Sequence, residues 1–189
     1  MDTTAYYALI TPAYLALVGL EALVARWRGR PVLSFAVGFG NLSAGLGALF
    51  VGLFIGPALY ALYVWAWKTF ALIQWPDNSL WVWVVGLLLA DLAHYAQHRV
   101  DHHVAPLWAL HGVHHQGTEV NLTLSMRHTW GSDFYSFPFY AALPLLGVPP
   151  TVFFVSTVIM SVHAMATHSS ELRFPSFGIL VTPQSHRLH

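Results

Sequence analysis

The sequence predicts an all-α fold, an integral membrane bundle of helices with a histidine-rich polar end. Its 189 residues are 56% hydrophobic and only 8% charged, and the mean hydropathy is +0.56. Apolar runs long enough to cross a bilayer, about 20 residues each, recur along the chain. All twelve histidines lie between His94 and His189. Because every neutral imidazole needs hydrogen-bond partners, such a concentration beside apolar helices indicates metal binding.

The composition excludes several classes of protein. The formal net charge is zero with histidine neutral and there is no basic stripe, so we expect no nucleic-acid partner. Cysteine is absent, which excludes disulfides, cysteine-ligated zinc or iron–sulfur sites and thiol catalysis. Any metal must therefore be held by nitrogen and oxygen atoms.

The first apolar run, residues 5–24, predicts a membrane span. The four residues before it lack the basic start of a secretory signal, so we expect this run to remain as an anchor. Arg26, Arg28 and Arg30 follow the run, and such a cluster marks the cytoplasmic side of a membrane.

The next apolar stretch, residues 32–70, is longer than one span requires. We expect one long helix at residues 41–67 that Pro57 kinks, with a short re-entrant pair as the alternative. The segment from Trp75 to Ser79 then predicts a turn.

Residues 80–103 predict a helix that is apolar at first and, from Asp91 onward, polar at every third or fourth position. Such a helix leaves the bilayer and continues into water. Residues 134–146 and 151–168 are two further apolar arms around a Gly-Val-Pro-Pro turn. The first arm is short for a span, so we expect a hairpin that crosses the bilayer only in part.

The predicted order of spans places the polar segments on one side of the membrane. Two crossings separate Arg30 from His98, and a hairpin returns the chain before His186. The histidine groups are therefore expected to converge at the cytoplasmic face of a multi-pass protein.

The histidines recur at spacings that suit metal ions. His98 and His102 are four residues apart, which places both rings on one face of a helix. The other groups have the patterns HxxHH and HxxH and consist of His111, His114, His115, His186 and His189. A structural zinc site needs four ligands, so at least seven histidines fit two ions better than one.

Two stretches resemble a known family. DLAHYAQHRVDH at residues 91–102 and LWALHGVHH at residues 107–115 are similar to the fatty acid hydroxylase/sterol desaturase superfamily, whose pattern is HxxxH followed by LWxxHxxHH. NLTLSMR at residues 121–127 and TPQSHRLH at residues 182–189 extend the resemblance and look most similar to its alkylglycerol monooxygenase branch. We therefore expect membrane spans at residues 1–84 and a fatty acid hydroxylase-like catalytic region at residues 85–189.

The resemblance implies a cytoplasmic di-iron site. Its ligands, carried over residue by residue, are His98, His102, His111, His114, His115, His186 and His189. A further middle histidine is expected, for which His163 and His168 are equal alternatives. The family's last group is HxxHH, whose final histidine would be residue 190, so we expect the catalytic region to be incomplete at its C-terminus.

Three polar residues are candidates for supporting the ligands. Asp91 lies two helical turns before His98 and would accept a hydrogen bond from a ligand ring, although a helix cap or an ion pair with Arg99 explains it equally well. Asn121 and Arg127 would orient ligands or gate the substrate, with ordinary loop polarity as the alternative.

The resemblance also implies a function, namely hydroxylation of a lipid-like substrate (a fatty acyl chain, a sterol or an ether lipid) with dioxygen. Unactivated C–H bonds require an oxidant that two iron ions can generate. Zinc can replace iron in a purified sample, but it has no redox chemistry. The electrons would come from a donor protein or from tetrahydrobiopterin. A lipid desaturase with the same site is one alternative, and a metal transporter or bis-histidine haem protein is an alternative of another class.

Overall fold

A computed structural model describes residues 3–30 and 33–188, with side chains of the first helix from residue 11 onward. Every regular element in this part of the chain is a helix, which confirms the predicted all-α class. The elements are α1 (Thr3–Trp27), α2 (Phe35–Phe70), α3 (Leu80–His103), α4 (Ala105–His115), a 3₁₀ helix (Leu122–Met126), α5 (Ser132–Tyr140), α6 (Ala142–Leu146), α7 (Pro150–Thr167) and α8 (Pro183–His186).

Three of the described helices, α2, α3 and α7, are long and apolar enough to cross a membrane. The predicted helix at residues 80–103 is confirmed as α3, which begins after the extended residue Ser79 and ends before the extended residue Val104. The prediction of one long helix around Pro57 is also confirmed, and the re-entrant pair is not formed. Helix α2 starts earlier than predicted because residues 35–40 are apolar and contain no proline.

Residues 50–111 and 130–161 form one compact unit. Tyr63 is fully buried at its centre, stacks on Phe153 with ring centroids 4.2 Å apart, and donates a hydrogen bond of 3.0 Å to the carbonyl oxygen of Val148. The first predicted hairpin arm is two short helices, α5 and α6. Pro144 lacks the N–H that would bond to the carbonyl of Tyr140, so a single continuous helix is interrupted there.

A glycine makes the turn between α6 and α7. Gly147 has φ +101, and a Cβ atom at this position would lie 1.7 Å from the carbonyl oxygen of Ile73. The Gly147 carbonyl also accepts hydrogen bonds from the Trp67 indole at 3.0 Å and from the Trp75 backbone at 3.3 Å. The segment after α2 is therefore hydrogen-bonded to the turn before α7, and only glycine fits at position 147.

We expect Gly147→Ala to lower the free energy of unfolding by about 3 kcal/mol, since it combines a positive φ with a backbone collision. Gly131→Ala is the matched control, because Gly131 has φ +78 but open space around its Cβ position. The control should cost only about 1 kcal/mol. Thermal unfolding in detergent measures both, and equal losses would contradict the role assigned to the Ile73 contact.

Residues 1–49, 112–129 and 162–189 form the second compact unit. In its described part, α1 packs on the 3₁₀ helix through buried Tyr14, Val18 and Leu122. The Tyr14 hydroxyl donates a hydrogen bond of 2.6 Å to the carbonyl oxygen of Leu122. The first predicted span, residues 5–24, lies within α1 and so helps to form this unit.

Candidate metal centre

Six of the predicted histidines form two clusters in the described part of the chain. The first cluster is His98, His102 and His111, and the second cluster is His114, His168 and His186. Within each cluster, one nitrogen from every ring lies within 4.8 Å of the others. Each compact unit contains one cluster, and helix α4 contributes His111 to one and His114 to the other.

The first cluster combines a helical repeat with a chain reversal. His98 and His102 are on successive turns of α3, with ring centroids 4.9 Å apart. Val104 is extended (φ −108, ψ 111), which ends α3 and lets α4 start in a new direction. As a result the ring of His111 lies 4.7 Å from that of His98 and 4.9 Å from that of His102. Spacing alone predicts the first pair, and the reversal adds the third ring.

A buried carboxylate that was not among the predicted residues lies beside the first cluster. Asp101 is fully buried, its Oδ2 accepts a hydrogen bond of 3.2 Å from Gln97, and the same atom lies 3.9 Å from Nδ1 of His111. Its Oδ1 has no hydrogen-bond partner among the described residues. The predicted carboxylate, Asp91, is instead exposed on α3. The position of Asp101, directly before His102, is the only sequence signal for it.

The nitrogen geometry of the second cluster is specific. Nε2 of His168 lies 3.0 Å from Nε2 of His114 and 3.0 Å from Nε2 of His186. On the far side of these rings, Nδ1 of His168 is 2.7 Å from the Ala164 carbonyl, and Nδ1 of His114 is 3.3 Å from the Arg127 carbonyl. Because a carbonyl only accepts, both Nδ1 atoms carry a proton, so in the neutral form of each ring the Nε2 atom presents a lone pair.

This arrangement calls for a cation. Two lone pairs that face each other at 3.0 Å repel unless a positive charge lies between them. The pKa of His168 is lowered to about 4, chiefly by burial; the bond to the Ala164 carbonyl raises it and the nearby His128 and His115 lower it by smaller amounts. A proton on this ring is therefore not favoured at neutral pH. Neutral imidazoles whose Nδ1 atoms are held by backbone carbonyls are the arrangement by which proteins bind transition metals. The second cluster therefore fits a metal ion.

The predicted supporting residues Asn121 and Arg127 belong to one hydrogen-bond chain that ends at His114. The Asn121 side chain accepts a bond of 2.6 Å from the Thr123 hydroxyl, which itself accepts one of 3.0 Å from Asn41. The Asn41 amide oxygen accepts from the Arg127 guanidinium at 3.3 Å, and the Arg127 carbonyl faces the His114 ring. Asn41, Asn121 and Thr123 are buried, so the chain is shielded from water and holds that carbonyl in place.

The remaining predicted ligands lie elsewhere. The ring of His115 is 5.4 Å from that of His114 and is not part of either cluster. His163 lies outside both clusters, with its Nε2 at 3.0 Å from the Val181 carbonyl. Of the two alternatives for the middle histidine, His168 is therefore the one that meets other histidines. His189 is outside the described residues.

Comparison with known proteins places this chain in a family. The fatty acid hydroxylase family model matches residues 83–189. Curated relatives are the alkylglycerol monooxygenases of Danio rerio (31% identical) and Homo sapiens (30%), each over 188 residues and 97% of this chain. That of Xenopus tropicalis is 29% identical over the whole chain. No solved structure matches.

The chain spans 42% of the length of these relatives. The match to the family model covers more than half of the 189 residues, and all six clustered histidines lie inside it. The resemblance predicted from the motifs, including its alkylglycerol monooxygenase branch, is thereby confirmed. The chain belongs to the fatty acid hydroxylase family.

Proposed function

We propose that this protein is a membrane-bound oxygenase that hydroxylates a lipid-like substrate, and that each histidine cluster binds one iron ion. The observation that carries the proposal is the convergence of three Nε2 atoms in the second cluster, with two of the rings fixed by backbone carbonyls. Family membership and relatives named as monooxygenases support the oxygenase activity.

The chain supplies the ligands, and iron supplies the redox chemistry. Bound iron would activate dioxygen so that one oxygen atom enters a C–H bond, a reaction that zinc does not perform because it has no redox chemistry. The histidines would hold each ion as neutral imidazoles, and buried Asp101 would add a negative charge beside the first cluster. His115 and His189 would be further ligands according to the pattern carried over from the family.

The apolar helices support a substrate that lies in the bilayer. Helix α3 is apolar from Leu80 to Ala90 and carries His98 and His102 near its other end, about two to three turns further on. A lipid lying along this helix would have its hydrocarbon chain beside the apolar half and a carbon near the histidines. Because the relatives are named for alkylglycerols, an ether lipid is the first substrate to test. Hydroxylation consumes dioxygen, two electrons and two protons, with a tetrahydropterin or a redox protein as the donor.

The proposed location of the site is the cytoplasmic face. Arg28 forms an ion pair with Glu171, and Arg30 lies 3.6 Å from the same carboxylate. Glu171 is three residues after His168, so the basic segment and the second cluster belong to the same end of this unit. Arginines in short loops favour the cytoplasmic side, which supports the predicted orientation.

Metal analysis combined with a product assay tests the proposal. The full-length protein is purified in detergent, reconstituted with Fe(II) without oxygen, and supplied with an ether lipid, a tetrahydropterin and dioxygen. We expect two irons per chain and a product that is heavier by one oxygen atom. A zinc-loaded sample is the control, which should contain metal at the same sites but form no product.

Three outcomes would contradict the proposal. An iron content well below two per chain, together with no dioxygen-dependent lipid product, would contradict both the proposed metal sites and the proposed activity. A product that has lost two hydrogens would identify a desaturase. A Soret band in the purified protein would identify a haem protein.

A further inference from the structure

Glu21 is a buried carboxylate outside the segment that the family model matches. It lies on α1 among apolar residues, and only 6% of its surface is exposed. Burial of a carboxylate is unfavourable unless donors surround it, so its surroundings decide what it does.

Four donors surround this carboxylate, from two separate segments of the chain. Oε2 accepts a bond of 2.7 Å from the Leu122 backbone N–H. Oε1 accepts from the Ser169 hydroxyl at 2.7 Å, the Ser170 backbone at 2.6 Å and the Ser170 hydroxyl at 3.2 Å. Glu21 thus connects the start of the 3₁₀ helix to the residues that follow α7.

Both of these segments carry parts of the second cluster. Ser169 directly follows His168, and its carbonyl accepts a bond of 3.3 Å from Arg187, the neighbour of His186. The Ser169 hydroxyl also accepts from the backbone N–H groups of Glu171 and Leu172, each at 3.1 Å. On the other side, the 3₁₀ helix that starts at Leu122 ends just before Arg127, whose carbonyl faces His114.

We infer that Glu21 is a positioning residue that sets the relative placement of His114, His168 and His186 and so tunes metal affinity at the second cluster. The inference rests on the proposed function, since it requires that this cluster binds a metal. It gives the first predicted span a role in the site, although the span contains no ligand. Glu21 itself does not act as a ligand, because protein donors occupy both of its oxygens.

Glu21→Gln tests the inference with little change of shape. Glutamine keeps one acceptor oxygen and replaces the other with an amino group, which faces either the Leu122 N–H or the serine donors. To isolate the second cluster, the variant is made in a His98→Ala background and titrated with Co(II), with d–d absorption as the readout. We expect the dissociation constant to rise roughly 10–100-fold, the range for residues that orient ligands.

Glu119→Gln is the matched control. Glu119 is a glutamate of the same unit that accepts one backbone bond, at 2.8 Å from Ser34. Among the described residues, no hydrogen bond or ion pair joins Glu119 to the segments around His168, so its substitution should leave the Co(II) affinity unchanged. The unfolding temperature of each metal-free variant is measured in parallel.

The outcomes separate this inference from the proposed function. If the parent protein binds no metal at either cluster, the proposed function and this inference are both overturned. If the His98→Ala background binds Co(II) and Glu21→Gln has the same affinity and spectrum, only the role of Glu21 is overturned, even when the unfolding temperature falls.

Ser169→Ala provides a second variant should Glu21→Gln fail to fold. It removes one donor and leaves the carboxylate, so it should weaken Co(II) binding in the same direction but by less. An unchanged affinity in this variant would likewise contradict the inference. Where both variants fold, their combined effect should be smaller than the sum of the two, because they disrupt the same contact.

Discussion

His168→Ala is expected to remove one of the two metal equivalents and to abolish lipid hydroxylation. His168 is the central ring of the second cluster, since its Nε2 lies 3.0 Å from the Nε2 atoms of both His114 and His186. Loss of this ring leaves two of three ligands in the cluster. We expect the affinity for the metal ion at the second cluster to fall by at least about 100-fold, and product formation to fall with it.

His163→Ala is the control that makes this prediction specific. His163 has the same side chain and lies on α7 five residues earlier. Its ring contacts the Val181 carbonyl and no histidine of either cluster. We expect this variant to keep both metal equivalents, with activity within about twofold of the parent protein. Iron content by elemental analysis and product yield by mass spectrometry provide the readouts. A larger loss in His163→Ala than in His168→Ala would reverse the assignment of the middle histidine.

Asp101→Asn is expected to change metal binding and stability in opposite directions. The carboxylate is fully buried, its Oδ1 has no hydrogen-bond partner among the described residues, and its Oδ2 lies 3.9 Å from the His111 ring. Without metal, such a buried charge is unfavourable, so its removal should stabilise the metal-free protein by roughly 1 kcal/mol. With metal, the negative charge favours a dication in the first cluster, so its removal should lower the metal affinity of that cluster about 10–100-fold.

Asp91→Asn separates this effect from a general loss of charge on the same helix. Asp91 is exposed, and its replacement should change neither the unfolding temperature nor the affinity of either metal equivalent. Thermal unfolding of the metal-free protein and Co(II) titration measure the two quantities independently. If Asp101→Asn destabilises the metal-free protein and leaves both affinities intact, Asp101 is a structural residue with no role at the first cluster.

The helices could be predicted because their signals are local. The helix at residues 80–103 has the predicted bounds, and the long helix around Pro57 differs only at its ends. Apolar composition over the length of a span and turn residues at its ends are sufficient for such assignments. Helix α4 was not among the predicted helices, although Pro106 in its first turn suits a helix start and disfavours continuation of α3 beyond Val104.

The site could be predicted in part for the same reason. His98 and His102 are four residues apart on one helix, so their proximity follows from the helical repeat. The choice between His163 and His168 depends on how the chain turns after α7, where Thr167 ends the helix and His168 is buried. Asp101 and Glu21 belong to no recognisable sequence motif, because their roles depend on burial and on contacts with residues distant in the sequence.

By itself the sequence determined the all-α membrane class, the approximate spans, the histidine groups and the family, since each depends on composition or on short-range spacing. Tertiary structure alone decided which nitrogen atoms converge, which carbonyls hold the rings and which carboxylates are buried beside them. Those features depend on chain reversals and on the packing of segments more than 100 residues apart, as in the bond from Leu122 to Glu21. The spacing of residues along the sequence does not predict contacts between such distant segments, so only the folded chain distinguishes His168 from His163.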